Sequence, residues 1–176
     1  MATYKIDPLH SDIAFKVKHM MISTVTGHFN SYTANVKAMD DTFANAQIEV
    51  ELDVNSITTK NEDRDGHLKS DDFFNAEKYP AMTFKSSSLK KVSGNKYTLT
   101  GDLTIRDVTK KVSFNVTYGG TAKDPYGNVK SGFKASGKIN RFDYGLKWNT
   151  LTEAGGAMVG KDINITLNLE FAQKKA

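Results

Sequence analysis

The chain has 176 residues, 39% hydrophobic and 25% charged, with a net charge of +4 and no cysteine. This length suits one domain, 1–176, with a substantial core, and the absence of cysteine excludes disulfide frameworks, thiol catalysis and Cys-ligated zinc. The cations are nearly all scattered lysines, with arginine only at Arg64, Arg106 and Arg141, so nucleic acid, which selects clustered basic residues, is not an expected partner.

The N-terminal MATYKIDPLHSDIAF lacks an apolar signal-peptide core, and no apolar run reaches the roughly 18 residues of a membrane span. A non-transmembrane, cytoplasmic protein is the expectation. From Asp12 to Lys18, Ile13, Phe15 and Val17 alternate with polar residues, the period of a half-buried strand, and His19 stays in phase with them. Gly27 to Lys37 reads as one less regular strand with a bulge at Phe29, with Tyr32, Ala34 and Val36 inward. Ala46 to Val54 alternates strictly, placing Val50 and Leu52 on the inner face.

Asn55 to Ser86 breaks the alternation and reads as a lid. Asn61 suits an N-cap, Glu62 and Asp63 suit the first turn, Gly66 weakens the helix, and Pro80 ends any helical path. Leu68, Phe73, Phe74 and Tyr79 need an apolar surface to cover. Met82 and Phe84 open the next strand. Tyr97 to Ile105 and Val112 to Tyr118 form a hairpin through Arg106–Lys110, with Leu99, Leu103 and Phe114 inward. Phe133, Ala135, Gly137 and Ile139 mark another strand. Asn140 to Leu146 turns a corner, a glycine-rich loop runs through Gly155 and Gly156, and Lys161 to Phe171 is the last strand, with Ile165 inward.

Eight strands with one polar face hide their edges best by closing into a barrel, wide enough to be filled by side chains or to hold one small ligand. Large inward residues such as Phe84 alternate with very small ones such as Gly101 and Gly137. Either the two interlock in a dry core, or the small ones leave a lumen for a linear apolar ligand. His10, His19, His28 and His67 lack the spacing of a local metal site, so no metal is expected. Arg141 and Asp143 at the corner suit either mutual pairing or contact with a ligand's polar head.

Taken together, YKIDPLHSDIAFKVKH, TGHF, RDGHLKSDDFFNAEKYPAMTFKS, TGDLTIRDVTKKVSFNV, INRFDYGL and MVGKDINITLNLEF resemble the YceI-like family over nearly the whole chain. That family usually has glycine at the turn position held here by Asp107. The resemblance implies an all-β fold: an elongated, lipocalin-like, eight-stranded antiparallel β-barrel with one short helical lid segment. It further implies non-catalytic binding, transport or storage of a polyisoprenoid lipid, of prenyl quinone or prenyl phenol type, in the lumen. No other cofactor is expected; transient membrane contact and a homodimer are left open. By phase, the expected lumen residues are Phe15, Val17, His19, Val36, Val50, Leu52, Phe84, Leu99, Leu103, Phe114, Phe133, Ile139 and Ile165. Phe73 and Phe74 are expected to close the mouth, and Arg141 and Asp143 to stand at the head. The competing readings are an enzyme using His19, Arg141 and Asp143, and a structural barrel with a filled core.

Overall fold

The computed structural model describes residues 2–38, 43, 45–149 and 159–174. Its strands form one antiparallel sheet. β1 (Ala2–Ile6), β2 (Asp12–His19), β3 (Ser23–Phe29), β4 (Tyr32–Ala38) and β5 (Gln47–Asp53) come first, then the two-residue β6 (Ile57–Thr58). After the helix α1 (Glu62–Lys69) follow β7 (Ala81–Ser93), β8 (Lys96–Ile105), β9 (Val108–Lys123), β10 (Val129–Asn140) and β11 (Val159–Gln173). The order β1-β4-β5-β7-β8-β9-β10-β11 returns to β1 through Tyr4↔Gln173 and Ile6↔Phe171, closing a barrel of eight strands.

β1 is absent from the sequence reading. It is short and followed by Pro8, and its register comes from the distant partners β4 and β11 rather than from its own alternation. The expected strand from Gly27 to Lys37 is two strands, broken at Asn30 and Ser31. The break has a structural role. β2 takes the edge of β11 that β1 leaves (Val17↔Ile163, Ile13↔Leu167), and β3 pairs with β2 as β4 pairs with β1, so both walls continue to the far end. β5 stops at Asp53, and α1 with its following loop lies beside β6 at that end.

Turn chemistry is unusual at two hairpins. Met20 and Met21 join β2 to β3 with φ of 53° and 61°, and the Ile22 N–H donates to His19 O at 3.2 Å. This is the pattern of a type I′ turn, normally Asn-Gly, and the left-handed region costs other residues about 1–2 kcal/mol each. Between β8 and β9 the left-handed residue is Arg106, φ 55°, and not Asp107. A side chain at position 107 therefore introduces no left-handed strain.

The helix begins as expected: Asn61 accepts from the Arg64 N–H at 3.0 Å, and three acids occupy the first turn. It buries none of its own residues fully. The covering is done by the coil that follows, where Phe73 and Ala76 are buried and Phe74 is half-buried. The glycine-rich loop through Gly155 and Gly156 lies outside the described residues.

Candidate functional site: an apolar cavity under a pinned lid

A cavity of about 170 Å³ runs inside the barrel. Apart from Thr83 and Arg141, every described residue lining it is apolar. From the strands, Phe15, Val17, Val50, Leu52, Phe84 and Leu99 reach it; so do Leu103, Phe114, Ile139 and Ile165, with Phe73 and Phe74 from the lid. Many of these inward positions are only half-buried. A side chain facing inward yet short of full burial faces empty space rather than a packed core.

The small inward residues work differently from either expectation. A Cβ at Gly101 would meet Phe84 Cζ at 2.6 Å, one at Gly137 would meet Phe114 Cδ1 at 2.6 Å, and one at Gly27 would overlap the Phe15 ring. Each glycine thus seats a phenylalanine from the neighbouring strand flat against the wall, as aromatic rings do over strand glycines. Large and small do interlock, but along the wall, and the bore stays open because the rings do not cross it. Gly27→Ala should therefore swing Phe15 into the bore. A ligand titration should show about tenfold weaker binding, while stability changes by no more than about 1 kcal/mol, because alanine also removes glycine's entropic penalty in a strand.

His19, Val36, Phe133 and Asp143 are not among the described residues that line this cavity. His19 is the last residue of β2, opposite Ser23 and Val159, at the rim. Val36 and Phe133 sit at the cavity's other end, opposite the lining residues Ile48 and Leu169 on the neighbouring strands. There Phe43 lies 5.2 Å from Tyr4, 5.5 Å from Tyr118 and 5.2 Å from Phe133, between ring centroids, and Phe133 lies 6.1 Å from Phe171. These rings plug the barrel, and Val36 is buried in the same core cluster. Asp143 is exposed on the turn after β10.

Ile48, Ile105, Ile163, Leu167 and Leu169 also line the cavity; alternation places all five on the inner faces of their strands, although the expected lumen set leaves them out. Leu68 reaches the cavity from α1, in line with its expected place in the lid's apolar patch, whereas Leu146, from the irregular segment after β10, carried no periodic signal.

Arg141 lines the cavity, but pairing with Asp143 does not occur. Its Nε donates to Gly160 O at 2.8 Å, Nη1 to Leu146 O and Trp148 O at 2.6 and 2.8 Å, and Nη2 to Val159 O at 3.1 Å. The acceptors exist because β11 slips register against β2 between Val159 and Ile163, and because the turn Arg141–Tyr144 ends at left-handed Gly145. Arg141 is only 2% exposed. Burial lowers its pKa, yet a guanidinium stays charged at neutral pH. Its face also lies over Phe142 and Phe73, 4.8 and 6.0 Å from the ring centroids. Beside it the buried Tyr144 hydroxyl has no hydrogen-bond partner among the described residues, and its pKa is pushed up to about 12, by burial first and by Asp143 second.

The lid is held at two places. Thr59 donates N–H and hydroxyl to Asp65 Oδ1 at 2.8 and 2.6 Å while Arg64 clamps the same threonine. Arg106, at the β8–β9 turn, donates to Asp71 O, Phe73 O and Asp71 Oδ1 at 3.0, 3.1 and 2.8 Å, and lies over Tyr79. Phe73 continues into a stack with His67 and Trp148, with centroids 5.1 and 5.5 Å away.

One polar cluster lies outside the cavity. Asp7, His10 and Glu170 bring ligand atoms within 4.8 Å of one another, a convergence the spacing of the histidines did not suggest. Lys130 Nζ sits 2.8 Å from Asp7 and 4.0 Å from Glu170, so an ammonium already holds the position a cation would take. The Lys130 hydrogen bond is the main cause that lowers the Asp7 pKa from its ordinary 3.8 to about 2. A depressed carboxylate stabilises the fold above its unfolded pKa, and that contribution fades as pH falls from about 4 through about 2. Asp7→Asn should cost about 2 kcal/mol at pH 7 in denaturant titrations, with the difference from the parent chain shrinking across that acid window.

A closed antiparallel barrel with an apolar interior cavity and a short lid defines a class of small β-barrels built around a lumen. The YceI-like domain model matches residues 4–171, and the chain belongs to that family. A UPF0312 protein of Staphylococcus aureus (strain N315) is 37% identical over 173 residues, 98% of each chain. Burkholderia cenocepacia BcnA superposes with a TM-score of 0.82 at 25% identity, covering 94% of this chain and 98% of that one. A polyisoprenoid-binding domain from Saccharophagus degradans shares the fold at 16% identity, with a TM-score of 0.69 and coverage of 97% and 98%. Among the described residues, no helix is long and apolar enough to cross a membrane.

Proposed function

We infer that this barrel binds a polyisoprenoid lipid, of prenyl quinone or prenyl phenol type, and carries or stores it without chemical change in the cytoplasm. The observation that carries this reading is the cavity lining, apolar but for Thr83 and Arg141. Such a surface offers an alkyl or prenyl chain about 0.8 kcal/mol per buried CH₂, some 3–4 kcal/mol gross per five-carbon unit. The Saccharophagus degradans domain, described as polyisoprenoid-binding, supports the same reading through its shared fold.

Volume sets a condition on the reading. A dry cavity of about 150 Å³ accepts a benzene ring, so about 170 Å³ holds roughly one isoprene unit as it stands. A longer chain needs the lid or lining side chains to yield, which gives the Arg106 and Thr59 attachments a part in admitting the ligand. The one guanidinium hydrogen of Arg141 left after its four bonds is available to a head group.

The enzymatic alternative has little to stand on. Among the described residues Arg141 is the only acid or base in the lining, its donors are largely committed, and His19 and Asp143 are not in that lining. Thermal unfolding with added prenyl quinone tests the binding reading: at a hundredfold excess over Kd the gain is about 2.7 kcal/mol. No rise in Tm with quinones of any chain length would overturn it.

A further inference from the structure

The β2–β3 turn presents Met20, Met21 and Ile22 to solvent at 40%, 62% and 83% exposure. The other large apolar residues exposed among the described residues stand singly: Leu9 in the short 3-10 helix after β1, Val92 near the end of β7 and Tyr126 in the turn between β9 and β10. This run differs in three ways. Its residues are consecutive, it sits where glycine or asparagine is the ordinary choice, and it projects from the end of the barrel where Val17, Val159, Phe73 and Phe74 line the cavity. Lys16 and Lys18, exposed on the strand leading to it, have no ion pair among the described residues.

We propose that the Met20–Met21–Ile22 tip is a membrane-docking element that inserts among the acyl chains of a bilayer and sets the lid end of the cavity against the lipid surface. A protein partner fits less well. Three side chains at a turn fall far below the roughly 800 Å² that each side of a stable protein interface buries, whereas a bilayer accepts flexible methionine chains without shape matching. The two lysines favour an anionic surface. The inference rests on the lipid-binding reading for its purpose, since a bilayer is where a prenyl lipid is taken up and released, but the insertion itself can be measured apart from it.

The full chain is floated with vesicles of phosphatidylcholine and phosphatidylglycerol, beside a variant carrying Met20→Asn, Met21→Gly and Ile22→Thr. Asn-Gly suits the turn, so the variant's Tm should equal or exceed the parent's. Its partitioning onto vesicles should fall at least about tenfold. Uptake of a prenyl quinone from detergent, with vesicles absent, should be the same for both chains. Equal flotation of both chains, or a parent chain that stays off the vesicles, overturns the proposal. A concentration-dependent dimer that the variant loses overturns it in favour of a second copy of the chain. A variant that loses quinone uptake without vesicles also overturns it, by assigning the tip to the ligand site. A parent chain that floats but takes up no quinone supports docking and removes the carrier reading instead.

Discussion

Leu99→Arg should abolish retention of a prenyl lipid, with affinity falling more than about 100-fold, or about 2.7 kcal/mol. Leu99 lies on β8 between Leu89 and Phe114 and faces the cavity. A guanidinium there cannot lose its proton, so a ligand entering would strip its hydration without offering a partner. The empty barrel suffers less, because water admitted through the lid can solvate the new charge. A stability loss of about 2–4 kcal/mol with far-ultraviolet β-signal retained is the expected pattern. Leu99→Trp separates charge from volume: it should also weaken binding, by filling the bore, while leaving stability within about 3 kcal/mol of the parent. Ligand affinity unchanged in both variants would place the bound lipid somewhere other than this cavity.

The largest stability effect is expected at Arg141. Its four acceptors belong to the β11 bulge and to the segment after β10, and a planar fork reaches both at once. Lysine offers one point of charge. Arg141→Lys should leave at least two buried carbonyls unpaired at about 1–3 kcal/mol each, a loss near 3–5 kcal/mol and a Tm lower by about 6–15 °C. Arg141→Met should cost a similar amount, because it loses the same bonds but no longer buries a charge that lacks a carboxylate. If both variants melted with the parent chain, the bulge carbonyls would be satisfied by something else, and the clamp would be no part of the fold's stability.

How far the sequence could be read depended on where each element draws its instructions. β5 and β11 alternate inward apolar with outward polar residues, Gln47 to Asp53 on one and Asp162 to Glu170 on the other, so alternation alone placed Val50, Leu52 and Ile165 on the inner face. The lid helix was legible from Asn61 and the acids after it, because capping is local. β1 was not legible, since five residues ending before a proline become a strand only when β4 and β11 supply both neighbours. Phase tells which face a residue is on but not how far along the barrel it stands. That is why Val36 and Phe133, correctly inward, belong to the aromatic plug, where Phe43 from an irregular segment sits among them. Arg141 and Asp143 were read as a pair because they are close in sequence. What binds Arg141 instead is a set of carbonyls freed by a register slip, and backbone irregularity of that kind leaves no mark in side-chain pattern.

The tip at Met20 and Met21 and the turn at Arg106 are two of the places where local rule and structure disagree, each with a left-handed backbone at a residue that pattern alone would not choose, as also at Phe43 and Lys60. Such exceptions concentrate where something other than folding is selected. Arg106 uses its position to hold Asp71 and Phe73, and so the lid. The methionines are instead exposed to solvent, at 40% and 62%.

Native mass spectrometry of the full chain, first as purified from cells and then after incubation with prenyl quinones of several lengths, is the most direct measurement. A hollow barrel that accepts a prenyl tail gives one added mass per chain, identifiable after organic extraction and missing from Leu99→Arg. Bare protein mass under every one of those conditions contradicts it.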